Sequence, residues 1–76
     1  MRREAAYTAG WLADKSAVAT LATMVGGDSS PLVKKAAAWA LGEIGDAGGN
    51  AALSAALNDA DPSVRSIAAG ALTRLR

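Results

Sequence analysis

Residues 31–45 read PLVKKAAAWALGEIG, and residues 62–76 read PSVRSIAAGALTRLR. Extended to 28–45 and 59–76 and aligned at an offset of 31, the two stretches carry the same residue at seven of their eighteen positions. The start of the chain joins the pattern at an offset of 32, where Tyr7 aligns with Trp39 and Gly10 with Gly42. Because self-similarity at a fixed period is the signature of repeat architectures, we interpret the chain as a repeat protein.

Each unit is predicted to form a long helix followed by a shorter one. Ser30 and Asp61 each precede a proline, which places a capping side chain ahead of a first-turn residue that needs no N–H. Gly45 and the Gly48-Gly49 pair are expected to end the long helix of the second unit. The apolar residues of that helix recur three and four positions apart, as expected for one buried face: Val33, Ala37, Ala40, Leu41 and Ile44.

The shorter helices are expected over roughly residues 15–25 and 48–58. Their predicted inward residues are Val18, Leu21 and Val25 in the first, and Leu53, Ala56 and Leu57 in the second. We therefore expect a single domain, residues 1–76, of about five helices in two and a half repeats. The repeats are repeat 1 at 1–27, repeat 2 at 28–58 and half of repeat 3 at 59–76.

The pattern DxDPxVRxxAAxAL, together with GxIGD and a short helix carrying Leu-x-x-x-Leu, resembles HEAT-like repeats of the short type first described in phycobilin lyases. The resemblance covers nearly all of the chain and implies an all-α fold, a right-handed α–α superhelix. It also implies a noncatalytic scaffold that binds other proteins. The chain departs from the pattern at Thr73, which takes the place of Gly42, at Gly48-Gly49, and in the third unit, which lacks its second helix.

Composition excludes several kinds of chemistry. The 76 residues include no Cys and no His, so we expect no disulfide, no metal site and no cofactor, and no Ser has a histidine to activate it. The Met1-Arg2-Arg3 start is not followed by the apolar run of a secretory signal, and no stretch approaches the ~18 apolar residues of a membrane span. We expect a cytoplasmic protein that is not an enzyme and does not insert into membranes.

The chain carries three aromatic residues, Tyr7, Trp11 and Trp39, and all three fall on the long helices. Trp39 lies about 150° from the centre of the apolar stripe on a helical wheel, so its ring is expected to point away from the core. Trp11 aligns with Glu43, which places the three aromatics on one face. The alternative for Trp39 is a structural role, in which the ring covers the aliphatic stems of Lys35 and Glu43 or fills the groove to an adjacent helix.

In the third unit the matching positions are Gly70 and Arg74, so the aromatic patch should open onto a shallow hollow flanked by Ile67. Clustered exposed Tyr and Trp side chains favour partner binding. The predicted partner-binding residues are Tyr7, Trp11, Lys35, Trp39, Glu43, Ile67, Gly70 and Arg74. The resemblance implies a wider set of non-core positions on this face, which adds Arg3, Glu4, Leu32, Ala36, Ser63 and Ser66.

Three other functions remain open beside a protein- or peptide-binding module. A homodimer is suggested by residues 16–27 and 47–58, which contain no charged side chain. Nucleic-acid binding is suggested by a row of basic residues on the long helices, although the net charge of +1 argues against this function. Arg2, Lys34 and Arg65 are better explained as ion pairs with aspartates of the inter-unit loops. An accessory subunit of an enzyme is the third alternative.

Overall fold

A computed structural model describes residues 15–27, 30–45 and 47–74 of the chain. A 3₁₀ turn at Lys15–Ala17 leads into α1 (Val18–Gly27), and α2 follows at Pro31–Ile44. A second 3₁₀ turn at Ala47–Gly49 leads into α3 (Asn50–Ala56), and the final helix is α4 (Pro62–Arg74). These ranges contain no strand, which confirms the all-α prediction. The first of the five expected helices falls outside the described residues.

The four described helices pack in two layers. The long helices α2 and α4 contact each other, and the shorter helices α1 and α3 contact each other. The layers are joined because α1 also packs on α2, and α3 packs on α4. Long helices therefore lie beside long helices and short beside short, as in a helical solenoid.

The core is built around α2. The five residues of its predicted apolar stripe are all buried, as are Ala36, Ala38 and Gly42 outside that stripe. The expectation that Ala36 belongs to the partner-facing surface is wrong, because its side chain is fully buried. Neighbours on more than one side of α2 enclose it, which is why alanines outside the predicted stripe are buried as well.

Gly42 marks the closest approach between α2 and α4. A Cβ atom placed on Gly42 would lie 2.8 Å from the Cβ of Ala71 and 2.9 Å from its Cα. These separations are below van der Waals contact, so the two helices can meet here only because residue 42 has no side chain. Gly42 thereby sets the spacing of the two long helices.

The helix ends partly follow the sequence prediction. The Asp61 carboxylate caps α4, since its Oδ1 accepts hydrogen bonds from the backbone N–H groups of Ser63 at 2.7 Å and Val64 at 3.3 Å. Gly45 ends α2 with a φ of 73°, and its N–H donates to the Leu41 carbonyl at 3.1 Å. Ser30 does occupy the N-cap of α2, but the expected side-chain capping bond is not formed.

The short helices place their expected residues inward with one exception. Leu21 and Val25 of α1 and Leu53 and Ala56 of α3 are buried, and Val18 is half-buried against the core. Leu57, predicted to face inward, is 40% exposed. The reason is that α3 ends at Ala56, so Leu57 lies in the following turn and not on the buried face of the helix.

An ion pair joins α2 to the loop before α4. Lys34 Nζ lies 2.8 Å from Asp59 Oδ2, which forms one of the inter-unit pairs expected from the sequence. The pKa of Asp59 lies below its ordinary value, first because of the hydrogen bond from Lys34. The backbone N–H of Asp61, which donates to Asp59 Oδ1 at 2.9 Å, lowers this pKa further. Arg65 differs from the expectation, because its guanidinium donates to the backbone carbonyls of Asp59 and Ala60.

Candidate functional site

Four of the predicted partner-binding residues surround one hollow between α2 and α4. This cavity, called the Trp39 hollow below, has a volume of about 210 Å³. Its lining residues are Trp39, Ile67, Gly70, Ala71 and Arg74. The sequence predicts a hollow at this position, and the prediction misses only Ala71. Ala71 aligns with Ala40 of the apolar stripe, so the repeat register indicates a core position for Ala71 and not a wall of the hollow.

Trp39 forms one wall of the hollow. The sequence predicts a ring directed away from the core, but the side chain is half-buried and packs against the core cluster. The helical wheel describes α2 in isolation, whereas the neighbouring α4 brings apolar atoms to the far side of the helix as well. Trp39 therefore contacts both the protein interior and the open space of the hollow.

Two glycines shape the hollow, one in a crowded position and one in an open position. Gly42 lets α2 and α4 approach closely at Ala71, which is buried. Gly70 precedes Ala71 on α4, and a Cβ atom placed on it would meet nothing within 4 Å. The missing side chain at Gly70 leaves space that a larger residue at that position would occupy.

The rim of the hollow carries an ion pair. Arg74 Nη1 donates to Glu43 Oε1, which links the last turn of α4 to the last turn of α2. The two side chains are 53% and 30% exposed, so this pair stabilises the fold little. Because Arg74 is also a lining residue, the pair anchors the Arg74 side chain at the rim of the hollow.

Lys35 lies one helical turn before Trp39 on α2 and is half-buried. Residues four apart on a helix are neighbours on its surface, so Lys35 lies on the same side of α2 as Trp39. The described residues give it no ion-pair partner, in contrast to Lys34.

Tyr7 and Trp11, the other two aromatic residues of the predicted patch, lie outside the described residues. Their place beside Trp39 stays a prediction from the repeat register. The charge-free helices α1 and α3 expose Ala19, Thr23, Ser54 and Ala55. Thr23 uses its hydroxyl to donate to the Ala19 carbonyl at 3.1 Å.

Residues 15–27, 30–45 and 47–74 bring together no group of three or more metal-ligating side chains. None of the helices in these ranges is both long enough and apolar enough to cross a membrane.

Comparison with known families gives a match that covers most of the chain: residues 1–73 match HEAT repeats. The chain belongs to the HEAT repeat family. A search of the curated proteins finds no match. HEAT repeats commonly mediate protein–protein interaction and are generally noncatalytic scaffolds, so membership favours a binding role for this HEAT repeat domain.

Proposed function

We propose that this HEAT repeat domain is a noncatalytic module that binds another protein or a peptide on the face formed by its long helices. The observation that carries the proposal is the Trp39 hollow, in which an accessible tryptophan adjoins apolar space between α2 and α4. Tryptophan beside a pocket is the arrangement that binding anchors favour, because one buried side chain removes a large apolar area from water.

The surroundings of the hollow suit an interface with a polar rim. Arg74 and Glu43 lie at one edge and Lys35 on the other side of Trp39. Interfaces of this kind combine an apolar centre with charged residues that remain partly in water. The proposed site is made of Lys35, Trp39, Glu43, Ile67, Gly70 and Arg74, and the repeat register extends it to Tyr7 and Trp11.

The hollow is smaller than the ~300–1,000 Å³ typical of sites that enclose small molecules, at about 210 Å³. A partner side chain suits this volume better than a whole substrate does, which supports a noncatalytic role. The division into two and a half repeats and the cytoplasmic location stay predictions from the sequence.

Self-association is the second candidate function. The observation that favours it is the charge-free exposed surface of α1 and α3, since charged side chains are depleted at the centre of interfaces. A second copy could cover that surface. Light scattering at micromolar concentration separates a dimer from a monomer, and a dimer that Ala55→Lys dissociates while Lys35→Glu does not would favour this function over the first.

The binding proposal is tested with Trp39→Ala. The partner is obtained by affinity capture on the intact protein and purified, and its affinity is then measured by calorimetry. We expect Trp39→Ala to weaken binding by about 2 kcal/mol or more, or roughly thirtyfold. Leu57→Ala is the matched control, because it also removes an exposed apolar side chain but lies in the turn after α3.

Trp39 packs on the core, so its removal could act through stability. Lys35→Glu provides a second variant that changes the charge of the rim and leaves the core intact. Loss of affinity in both variants, with helicity by circular dichroism unchanged, supports the proposal. Unfolding of Trp39→Ala combined with full binding by Lys35→Glu refutes it and leaves Trp39 with a packing role.

A further inference from the structure

We infer that the Trp39 hollow accepts one aromatic side chain presented by the partner. This inference rests on the proposed function and names the chemistry of the group that enters the site. Three features carry it: the volume of the hollow, the nature of its walls and the position of Gly70 in the repeat.

The volume matches a single ring. A cavity of about 150 Å³ lined by apolar side chains is large enough to bind benzene. The Trp39 hollow, at about 210 Å³, holds a ring of that size with room for a ring substituent. A whole helix face or an extended backbone does not fit in this space, so the partner inserts one side chain.

The walls favour an aromatic over an aliphatic side chain. Trp39 supplies a ring, and aromatic pairs gain stabilisation beyond the area that they bury. Arg74 also lines the hollow, and it pairs with Glu43 at the rim. Arginine side chains also stack favourably on aromatic rings. An aliphatic side chain of equal volume gains neither contact.

The repeat register shows why this space is open. Tyr7 and Trp39 occupy one position in the first and second units, and Gly70 occupies that position in the third. A Cβ atom on Gly70 meets no neighbour. The third unit therefore has open space at the position where the second unit carries Trp39. A ring from the partner would take the place that the third unit leaves unfilled.

The test uses phenol and cyclohexanol, two six-membered rings with one hydroxyl each, added to the intact protein. Binding is followed by ¹⁵N chemical shifts of the Gly70 and Ala71 amides and of the Trp39 indole N–H. We expect phenol to shift these three signals with a millimolar Kd, and cyclohexanol to bind about two- to tenfold more weakly.

Gly70→Tyr fills the hollow with the residue type that the first unit carries, and Ala69→Tyr adds the same side chain to the neighbouring exposed position. Both variants should keep the fold, because both positions are exposed. We expect phenol binding to be lost in Gly70→Tyr and kept in Ala69→Tyr.

Equal affinity for phenol and cyclohexanol overturns the inference, as do phenol shifts that avoid the hollow or persist in Gly70→Tyr. These outcomes leave the proposed function standing if Lys35→Glu still weakens binding of the purified partner. Conversely, if no variant of the site changes the affinity for the purified partner, the proposed function itself is refuted, whether or not phenol binds.

Discussion

Gly42→Ala tests how closely the two long helices approach. The added methyl would lie 2.8 Å from the Ala71 Cβ and 2.9 Å from the Ala71 Cα. The second of these atoms belongs to the backbone of α4 and cannot rotate away, so the helices must separate. Overpacking of this kind costs about 1–3 kcal/mol.

The same substitution also has a favourable effect, because alanine is a better helix former than glycine by about 0.8–1.0 kcal/mol. The expected net loss of stability for Gly42→Ala is therefore about 0–2 kcal/mol. Gly70→Ala separates the two effects, since its methyl meets nothing within 4 Å and only the helix propensity changes. Gly70→Ala should be more stable than the parent by about 0.5–1 kcal/mol.

The decisive quantity is the difference between the two variants, in which the propensity contribution largely cancels. We expect Gly70→Ala to exceed Gly42→Ala in free energy of unfolding by about 1–3 kcal/mol. Urea unfolding followed by circular dichroism measures this, and each kcal/mol should also shift the melting temperature by about 4–8 °C. Equal stabilisation by both alanines would show that α2 and α4 do not meet at Gly42 as described.

Three further predictions concern stability. Leu53→Ala should cost about 2–5 kcal/mol in urea unfolding because Leu53 is fully buried, whereas Leu57→Ala should cost far less. Asp61→Ala should cost about 1 kcal/mol through loss of the α4 cap, and Asp61→Asn, which can still accept those bonds, should retain most of the stability. Asp59 has a pKa below its ordinary 3.8, so its stabilising effect is present above that pH and is lost as the pH falls through the lower folded value. Melting curves across this acid range should therefore lose part of their pH dependence in Asp59→Asn, and an unchanged profile would contradict the Lys34 pairing.

Much of the site could be predicted from the repeat. The alignment of Trp39 with Gly70 and of Glu43 with Arg74 indicated that these residues face one another across adjacent units, and the hollow lies where that register placed it. Two details could not be predicted in this way. The half-burial of Trp39 and the full burial of Ala36 depend on atoms of neighbouring helices, which a single helical wheel does not contain.

Local chemistry in the sequence determined where the long helices start and stop. Proline after Asp61 and glycine at position 45 act through their own backbone geometry and nearby hydrogen bonds, so their effect does not need the rest of the fold. The distance between α2 and α4 was decided only in the tertiary structure. It depends on Gly42 meeting Ala71, residues that are far apart in the chain, and the same contact shapes the hollow beside Trp39.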